Sequence, residues 1–423
     1  TMSNQTKQWG AILVMIALFA MIAFVTNLCS PMAVIIKNQG EISNVLAQIG
    51  NYGNFIAYLV MGIPAGMLIA KFGYKKTALI GLAVGTVGLL IQWLSGQFNA
   101  QENLALVFTI YLIGAFIAGL CMCILNCVVN PMLNLLGGGG NGGNQLIQIG
   151  GVFNSGAAVA CYILMGALIA DMTKAKIADA TPALMIAIAI FVVAFVVILF
   201  TKIDEPEQAP VQLNLVSEVM GYRHFALGAL AIFLYMGIEV GVPNYVNLML
   251  CDEGIPAATV GLIIAVYWFM MLIGRFVGAS IGSKVSSRAM VTTVATATLV
   301  LVLFGMFGPA EIQVSFPGVD WGKLEMIWQP IPVTIFSFLL VGLCTSVMWG
   351  AIFNMAVEGL GKYTAIASGI FMTMVFGCAV MMAIQGAVAD ATSYMTSFWV
   401  VVFCAAYILF YAQIGSRVSK RAE

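Results

Sequence analysis

The chain has 423 residues, of which 62% are hydrophobic and 8% are charged, whereas about 25% of the residues in a typical soluble domain are charged. Its 17 Lys and Arg residues equal its 17 Asp and Glu residues, so no net charge favours nucleic-acid binding. A single histidine argues against a His-rich metal site. The composition therefore predicts an all-α polytopic membrane protein.

Hydropathy divides the chain into twelve segments long and apolar enough to cross a bilayer, which requires roughly 20 mostly apolar residues. They run over 10–36, 43–70, 77–98, 103–135, 145–170, 181–201, 223–250, 256–282, 288–308, 331–357, 364–389 and 394–416. A long polar connection at 202–222 separates six predicted helices from six. We predict an N-terminal six-helix bundle over 1–201, a cytoplasmic linker over 202–222 and a C-terminal six-helix bundle over 223–423.

The distribution of Lys and Arg between the connections predicts the orientation. With the N-terminus in the cytoplasm, twelve Lys and Arg residues fall on the cytoplasmic side and four on the other side. Both termini are therefore expected in the cytoplasm. No cleavable signal peptide is expected, because the first apolar run is too long for one. In a bacterium this describes a multi-pass protein of the inner membrane.

The two halves of the sequence repeat. Helix 2 ends with Gly62 and Gly66 before a basic connection, and helix 8 ends with Gly274 and Gly278 before another. Glycines at such positions predict close helix contacts at a cytoplasmic gate. The predicted gating residues are Gly66, Lys71, Lys75, Lys76, Gly278, Lys284 and Arg288. Two parallel six-helix repeats are typical of the major facilitator architecture, in which the substrate site lies between the halves near the midplane.

Amides and aromatic residues recur at membrane depth, where polar groups are costly. One interpretation is hydrogen bonding between helices. The other is a site for an uncharged, hydroxyl-rich substrate, because amides donate and accept hydrogen bonds while staying neutral. An anionic substrate is not expected, because Arg275 lies toward a cytoplasmic helix end. The predicted substrate-binding residues are Asn27, Asn51, Asn126, Asn130, Asn154, Glu239, Asn244, Tyr245, Trp268, Trp349 and Asn354.

Glu239 lies about 24 Å along helix 7, too deep for its carboxylate to reach the membrane surface. Four residues later, Pro243 lacks the N–H that would bond the carbonyl of Glu239, and Pro31 frees the carbonyl of Asn27 in the same way. We predict a cation-coupling or hinge element here. Its predicted members are Glu239, Asn27, Ser30 and Asn126. Sodium is favoured as the transported cation, with proton coupling through Glu239 alone and uncoupled facilitation left open.

Motifs in both halves carry a family resemblance. They are Gly119-Leu-Cys121, Asn130-Pro131, Leu136-Gly137, Phe153-Asn154-Ser155-Gly156, Gly359-Leu-Gly361, Thr364, Ser368-Gly369, Gly377, Gly386 and Asp390. These motifs resemble the fucose:proton symporter family of the major facilitator superfamily. In helix 7, Tyr235-x-Gly237-x-Glu239-Val240 is similar to the glucose/galactose branch of that family. The resemblance implies sugar uptake driven by an ion gradient.

Two departures from the family concern the coupling ion. The proton-coupled fucose members have an Asp two residues after the Asn-Leu pair of helix 1, where this chain has Ser30. They also have a Glu where this chain has Asn126. An amide and a hydroxyl do not titrate near neutral pH. The proton scheme of the fucose members is therefore not expected here, whereas sugar binding is.

These observations predict a secondary active transporter that imports a neutral monosaccharide by alternating access. The substrate is expected to be a hexose such as glucose, galactose, mannose or fucose. We expect a monomer in the lipid bilayer with no obligatory protein partner, and no cofactor beyond a transported sodium ion. Two alternatives stay open, an exporter of a drug or metabolite with the same fold and a transporter-derived sensor. An enzyme is not expected, because Glu239 has no partnering His, Lys or Asp at its depth.

Overall fold

The computed structural model describes residues 2–40, 42–98, 102–136, 140–169, 175–203, 215–281, 284–360 and 363–421. Within these ranges, twelve helical segments are long and apolar enough to cross a membrane. We number them spans 1 to 12 in chain order. The prediction of an all-α membrane protein with twelve spans is confirmed. The predicted linker at 202–222 includes residues 204–214, which lie outside the described ranges.

Spans 1 to 6 form the first half. Its elements are α1 (Met2–Gly40), α2 (Asn44–Ala47), α3 (Ile49–Ser95), α4 (Leu104–Leu136), α5 (Gly140–Leu168), a 3₁₀ turn (Ile177–Ala180) and α6 (Thr181–Phe200). α3 contains two spans, Ile49–Ile69 and Lys71–Ser95. The helix is broken at Gly73, near the start of the second span, where a φ of 84° places the residue in a region that glycine enters readily. A single glycine thus reverses the chain between spans 2 and 3.

Spans 7 to 12 form the second half. Its elements are α7 (Leu215–Met220), α8 (Arg223–Glu239), α9 (Gly241–Asp252), α10 (Ala257–Ile281), α11 (Ser287–Phe307), β1 (Gln313–Asp320), β2 (Glu325–Pro332), α12 (Val333–Val357), α13 (Thr364–Met374), α14 (Gly377–Ala391), α15 (Tyr394–Ser397), α16 (Trp399–Phe410) and a π turn (Tyr411–Gly415). Span 7 consists of α8 and α9, and the break follows Glu239 directly. This agrees with the interruption expected from Pro243.

An antiparallel hairpin, β1–β2, joins spans 9 and 10, with Gln313 opposite Pro332 and Asp320 opposite Glu325. The sequence predicted a connection over 309–330 and a helix from residue 331, and no strand. Its strand signal is weak because Pro317, Gly318 and Pro330 interrupt the sequence, and such residues are disfavoured in strands. Gly318 allows the hairpin to pack directly on Thr259 at the start of span 8.

Lys37 and Lys71 lie at opposite ends of the helix bundle, and each end is named after its lysine. The Lys37 end contains the connections after spans 1, 7 and 11 and the hairpin. The Lys71 end contains the connections after spans 2 and 8. The alternation of span directions determines this assignment.

Small residues bring the halves together along two seams, span 5 with span 8 and span 2 with span 11. At the first seam, a β-carbon added to Gly166 would lie 2.8 Å from the carbonyl oxygen of Ala257. At the second, Gly62 lies against Thr373. Gly274 and Gly278 instead contact span 10 of their own half. Gly62, Gly274 and Gly278 thus lie at close helix contacts, but only the contact of Gly62 joins the two halves.

Gly166→Ala should destabilise the protein by about 1–3 kcal/mol, because the new methyl group overlaps the backbone of span 8. The matched control is Gly156→Ala on the same helix, where an added β-carbon meets no atom within 4 Å in the described structure. Thermal unfolding of the two purified variants in detergent measures the difference. Equal midpoints would contradict the close approach at this seam.

Candidate functional site

A cavity of about 1150 Å³ lies between the two halves, slightly above the usual range of about 300–1,000 Å³ for ligand pockets. Spans 1, 2, 4 and 5 line it from the first half, and spans 7, 8, 10 and 11 line it from the second, together with Ser287 and Met290 at the start of span 9. The four lining spans of the first half thus have their equivalents in the second half. A site between the halves is what the repeat pattern predicts.

The cavity is asymmetric along the membrane normal. Gly278, Val285 and Ser287 line it, so its wall continues to the Lys71 end. The lining residues that the structure describes include none from the connections at the Lys37 end. The cavity therefore extends toward one end of the bundle only.

Three predicted asparagines share one arrangement in the cavity wall, in which the side-chain nitrogen donates to a backbone carbonyl. Asn27 donates to the carbonyl of Ala23 at 2.8 Å. Asn130 donates to the carbonyl of Asn126 at 3.3 Å. Asn154 donates to the carbonyl of Phe19 on span 1 at 2.8 Å. Each of these bonds uses one of the two N–H groups of its amide, so the second N–H group can donate to a ligand and the amide oxygen can accept from it.

Asn126 joins two spans of the first half. Its side-chain nitrogen donates to the hydroxyl of Tyr58 on span 2 at 2.9 Å and to the carbonyl of Met122 at 3.1 Å. Both Asn126 and Tyr58 line the cavity. The polar surface at this depth is therefore fixed by contacts between spans before any ligand binds.

Two tryptophans present aromatic surface to the cavity. Trp268 stacks on Tyr162, with ring centroids 6.4 Å apart. Its indole nitrogen is buried and has no hydrogen-bond partner among the described residues. Trp349 stacks on Phe353 at 5.7 Å. Aromatic faces beside hydrogen-bonding groups suit a ring that carries both apolar C–H groups and hydroxyls.

Glu239 lies in the cavity wall at the break of span 7. Its carboxyl group is hydrogen-bonded to Tyr235. Its backbone carbonyl accepts a hydrogen bond of 2.8 Å from the hydroxyl of Tyr267. The sequence analysis expected that carbonyl to be open for a cation. In the structure, the hydroxyl of Tyr267 supplies the donor that Pro243 removes, so this carbonyl already has a hydrogen-bond partner.

Arg275 also lines the cavity, although the sequence analysis left it out of the site. Its Nη1 donates to the carbonyl of Gly151 at 3.0 Å and to the hydroxyl of Ser155 at 2.9 Å, both on span 5. It thus ties the two halves together. It also interacts electrostatically with Glu239. A hydropathy pattern could not reveal this, since it does not show how far an arginine side chain reaches.

The predicted substrate-binding residues divide into two groups. Eight line the cavity, namely Asn27, Asn126, Asn130, Asn154, Glu239, Trp268, Trp349 and Asn354. Asn51, Asn244 and Tyr245 are buried outside its wall, in the part of the bundle nearer the Lys37 end. There Asn51 donates to Gln48 at 2.8 Å and Tyr245 donates to the carbonyl of Met382 at 2.6 Å. The side chain of Ser30, predicted at the cation site, lies outside the described part of the chain.

The contacts that join the halves at a membrane surface lie at the Lys37 end. Lys37 Nζ is 2.9 Å from Asp252 Oδ2 and also donates to the hydroxyl of Tyr394. That hydroxyl is 2.7 Å from Asp252 Oδ2 and 2.9 Å from Asn44 Oδ1. Asp390 accepts hydrogen bonds from the backbone N–H groups of Asn44 at 2.6 Å and Val45 at 3.1 Å. We call Lys37, Asn44, Asp252, Asp390 and Tyr394 the Lys37-end cluster.

The sequence analysis placed the gate at the opposite end, at the cations Lys71, Lys75, Lys76, Lys284 and Arg288. Lys71, Lys284 and Arg288 are exposed there, and Lys71 lies over the ring of Phe72. Among the described residues, the ion pair that joins the halves is Lys37–Asp252. Closure in this structure is therefore at the Lys37 end, opposite the end that carries the predicted gating cations.

A family model described as the Major Facilitator Superfamily matches residues 12–374. The chain belongs to the major facilitator superfamily. The glucose/galactose transporter of Brucella abortus is 28% identical over 428 residues, covering 99% of this chain and 97% of the relative. The L-fucose-proton symporter of Escherichia coli is 22% identical, covering 86% of this chain and 84% of the relative. The resemblance to the fucose:proton symporter family and its glucose/galactose branch is confirmed.

Solved structures confirm the fold. The E. coli fucose:proton symporter superposes with a TM-score of 0.67 at 19% identity, covering 96% of this chain and 98% of that one. A D-xylose-proton symporter superposes with a TM-score of 0.71 at 12% identity, covering 97% and 98%. All of these proteins are named as transporters, in agreement with the expectation that the chain is not an enzyme.

Proposed function

We propose that this protein imports a neutral monosaccharide, a hexose such as glucose or galactose, by alternating access of the central cavity. The observation that carries the proposal is the cavity wall itself. It combines asparagine side chains from spans 1, 4 and 5 with two tryptophans from spans 8 and 10. The relatives named for glucose, galactose and fucose support the same substrate class. We further propose that the protein acts as a monomer in the inner membrane, without a cofactor.

We also propose that the Lys71 end faces the cytoplasm, on the basis of the excess of Lys and Arg in its connections. The arrangement described here is then an inward-facing one, closed to the outside by the Lys37-end cluster. Rocking of the two bundles, 1–201 against 223–423, about the seams between spans 5 and 8 and between spans 2 and 11 would expose the same residues to the other side.

For the coupling ion, we propose the proton in place of the sodium ion expected from the sequence. Three observations support this change. Among the residues that line the cavity in the described structure, Glu239 carries the carboxyl group. Its backbone carbonyl, a ligand of the expected sodium site, already accepts a hydrogen bond from the hydroxyl of Tyr267. The fucose and xylose transporters among the relatives are named as proton symporters.

Asn126→Ala should weaken binding of D-glucose or D-galactose about fivefold or more, because a hydrogen bond to a neutral hydroxyl contributes ~1 kcal/mol. The matched control is Asn51→Ala, which removes a buried amide outside the cavity wall and should leave the affinity unchanged in folded protein. Isothermal titration calorimetry of the purified variants measures both. The proposal fails if no neutral monosaccharide binds and a hydrophobic amine, typical of an exporter, binds instead.

A further inference from the structure

A second cavity, of about 370 Å³, lies apart from the central one on the outer surface of the bundle. Span 5 contributes Val159 and Ile163, and span 8 contributes Leu262, Val266 and Phe269. The β1–β2 hairpin covers it with Phe316 and its neighbours. We call it the hairpin groove. Its walls come from both halves of the protein, at the seam between spans 5 and 8.

The chemistry of the hairpin groove excludes a sugar. Every residue that lines it is apolar, including Ala265, Pro317, Gly318, Val319 and Met326. A hydroxyl placed there would lose its hydrogen bonds to water without gaining others, which costs several kcal/mol in a fully apolar environment. The groove therefore fits a hydrocarbon ligand.

The position of the hairpin groove points to the source of that ligand. Leu262 and Phe269 are seven residues apart, so the groove runs about 10 Å along span 8. This length lies within one leaflet of a hydrocarbon core about 30 Å thick. Phe269 is 48% exposed on the outer surface of the bundle. The groove is thus continuous with the surface of spans 5 and 8 that contacts lipid.

The hairpin itself carries the residues typical of a membrane interface. Trp321 is 42% exposed and Trp328 is 60% exposed, and they stand at the tip and on the second strand. Tryptophan is enriched at the level of lipid headgroups. A hairpin held at that level would cover an acyl chain lying in the groove beneath it.

We propose that an acyl chain of a membrane phospholipid, from the leaflet on the Lys37 side, occupies the hairpin groove. The chain contacts Val159 and Ile163 of the first half and Leu262, Val266 and Phe269 of the second. A lipid bound there bridges the two halves at a seam about which they would move. The proposal rests on the membrane fold and is independent of which substrate the central cavity binds.

The test uses full-length protein in liposomes that contain phosphatidylcholine with a photoreactive diazirine on one acyl chain. After irradiation, mass spectrometry of peptides should locate adducts mainly on the segments 159–163, 262–269 and 316–319. Peptides from the exposed surfaces of spans 6 and 9, marked by Val193 and Val300, should carry far fewer adducts. Adducts spread evenly over all lipid-facing peptides would overturn the proposal, and this outcome needs no variant and no sugar.

A matched pair of variants sharpens the test. Val266→Trp fills the groove with an indole in place of several methylene groups, and it should lower labelling of segment 159–163 about fivefold or more. Val300→Trp places the same side chain on a position of span 9 that is 61% exposed and should leave that labelling unchanged. Both variants must elute as the wild type does on gel filtration. Equal labelling of the two variants would contradict occupancy of the groove.

Discussion

Replacing Glu239 with glutamine should abolish concentrative sugar uptake while exchange of sugar across the membrane continues. Among the residues that line the cavity in the described structure, Glu239 carries the carboxyl group. Glutamine has nearly the same size and can still accept a hydrogen bond, but it cannot bind or release a proton. A carrier that cannot change its protonation can still alternate when loaded with sugar. It cannot use a proton gradient to accumulate that sugar.

Two assays in proteoliposomes test this prediction. One measures uptake driven by an imposed pH gradient, and the other measures exchange between internal and external labelled glucose. The matched control is Glu253→Gln, which neutralises an exposed carboxyl group just after span 7 and outside the cavity wall. It should retain both activities. Gradient-driven uptake by Glu239→Gln at the wild-type rate would exclude Glu239 as the coupling group. Uptake that follows a sodium gradient at fixed pH would restore the sodium interpretation.

Asp390→Ala should open the Lys37 end. The carboxylate of Asp390 accepts two backbone hydrogen bonds from the start of α2, in the other half of the protein. Hydrogen bonds to a charged group contribute about 1.5–3 kcal/mol each, so their loss should shift the equilibrium between the two arrangements by tenfold or more. The equilibrium shifts because these bonds form only while α2 and span 11 are in contact, so their loss destabilises only the closed arrangement.

The accessibility of Cys251 provides the readout, because this residue is 2% exposed beside Asp252 in the closed end. With the other cysteines replaced, a membrane-impermeant maleimide should label Cys251 about tenfold faster in Asp390→Ala than in the parent. The control is Asp320→Ala, which removes a carboxylate that also accepts two backbone N–H bonds, but within its own hairpin. Unchanged labelling in Asp390→Ala would contradict a closing role for the cluster.

The spans and the repeat were predictable because the bilayer imposes length and composition on each helix separately. Hydropathy therefore located all twelve spans, and the break in span 7 followed from the missing N–H of Pro243. The depth of Glu239 followed from the helical rise of about 1.5 Å per residue.

The pairing of residues across the halves was not predictable in this way. Arg275 with Ser155 and Lys37 with Asp252 are contacts between residues more than a hundred positions apart. They depend on how two bundles are oriented, which no single helix specifies. For the same reason the sequence could not separate Asn244, buried near the closed end, from Asn126, which faces the cavity.

The most direct test of the central claim is uptake of labelled D-glucose and D-galactose by the wild-type protein in liposomes, with an imposed proton gradient and then after its collapse by a protonophore. We expect accumulation above the external concentration that stops when the gradient is collapsed, together with competition by the unlabelled sugar. Absence of specific uptake of any neutral monosaccharide under proton, sodium and equilibrium conditions, in protein that elutes as a folded monomer, would contradict it.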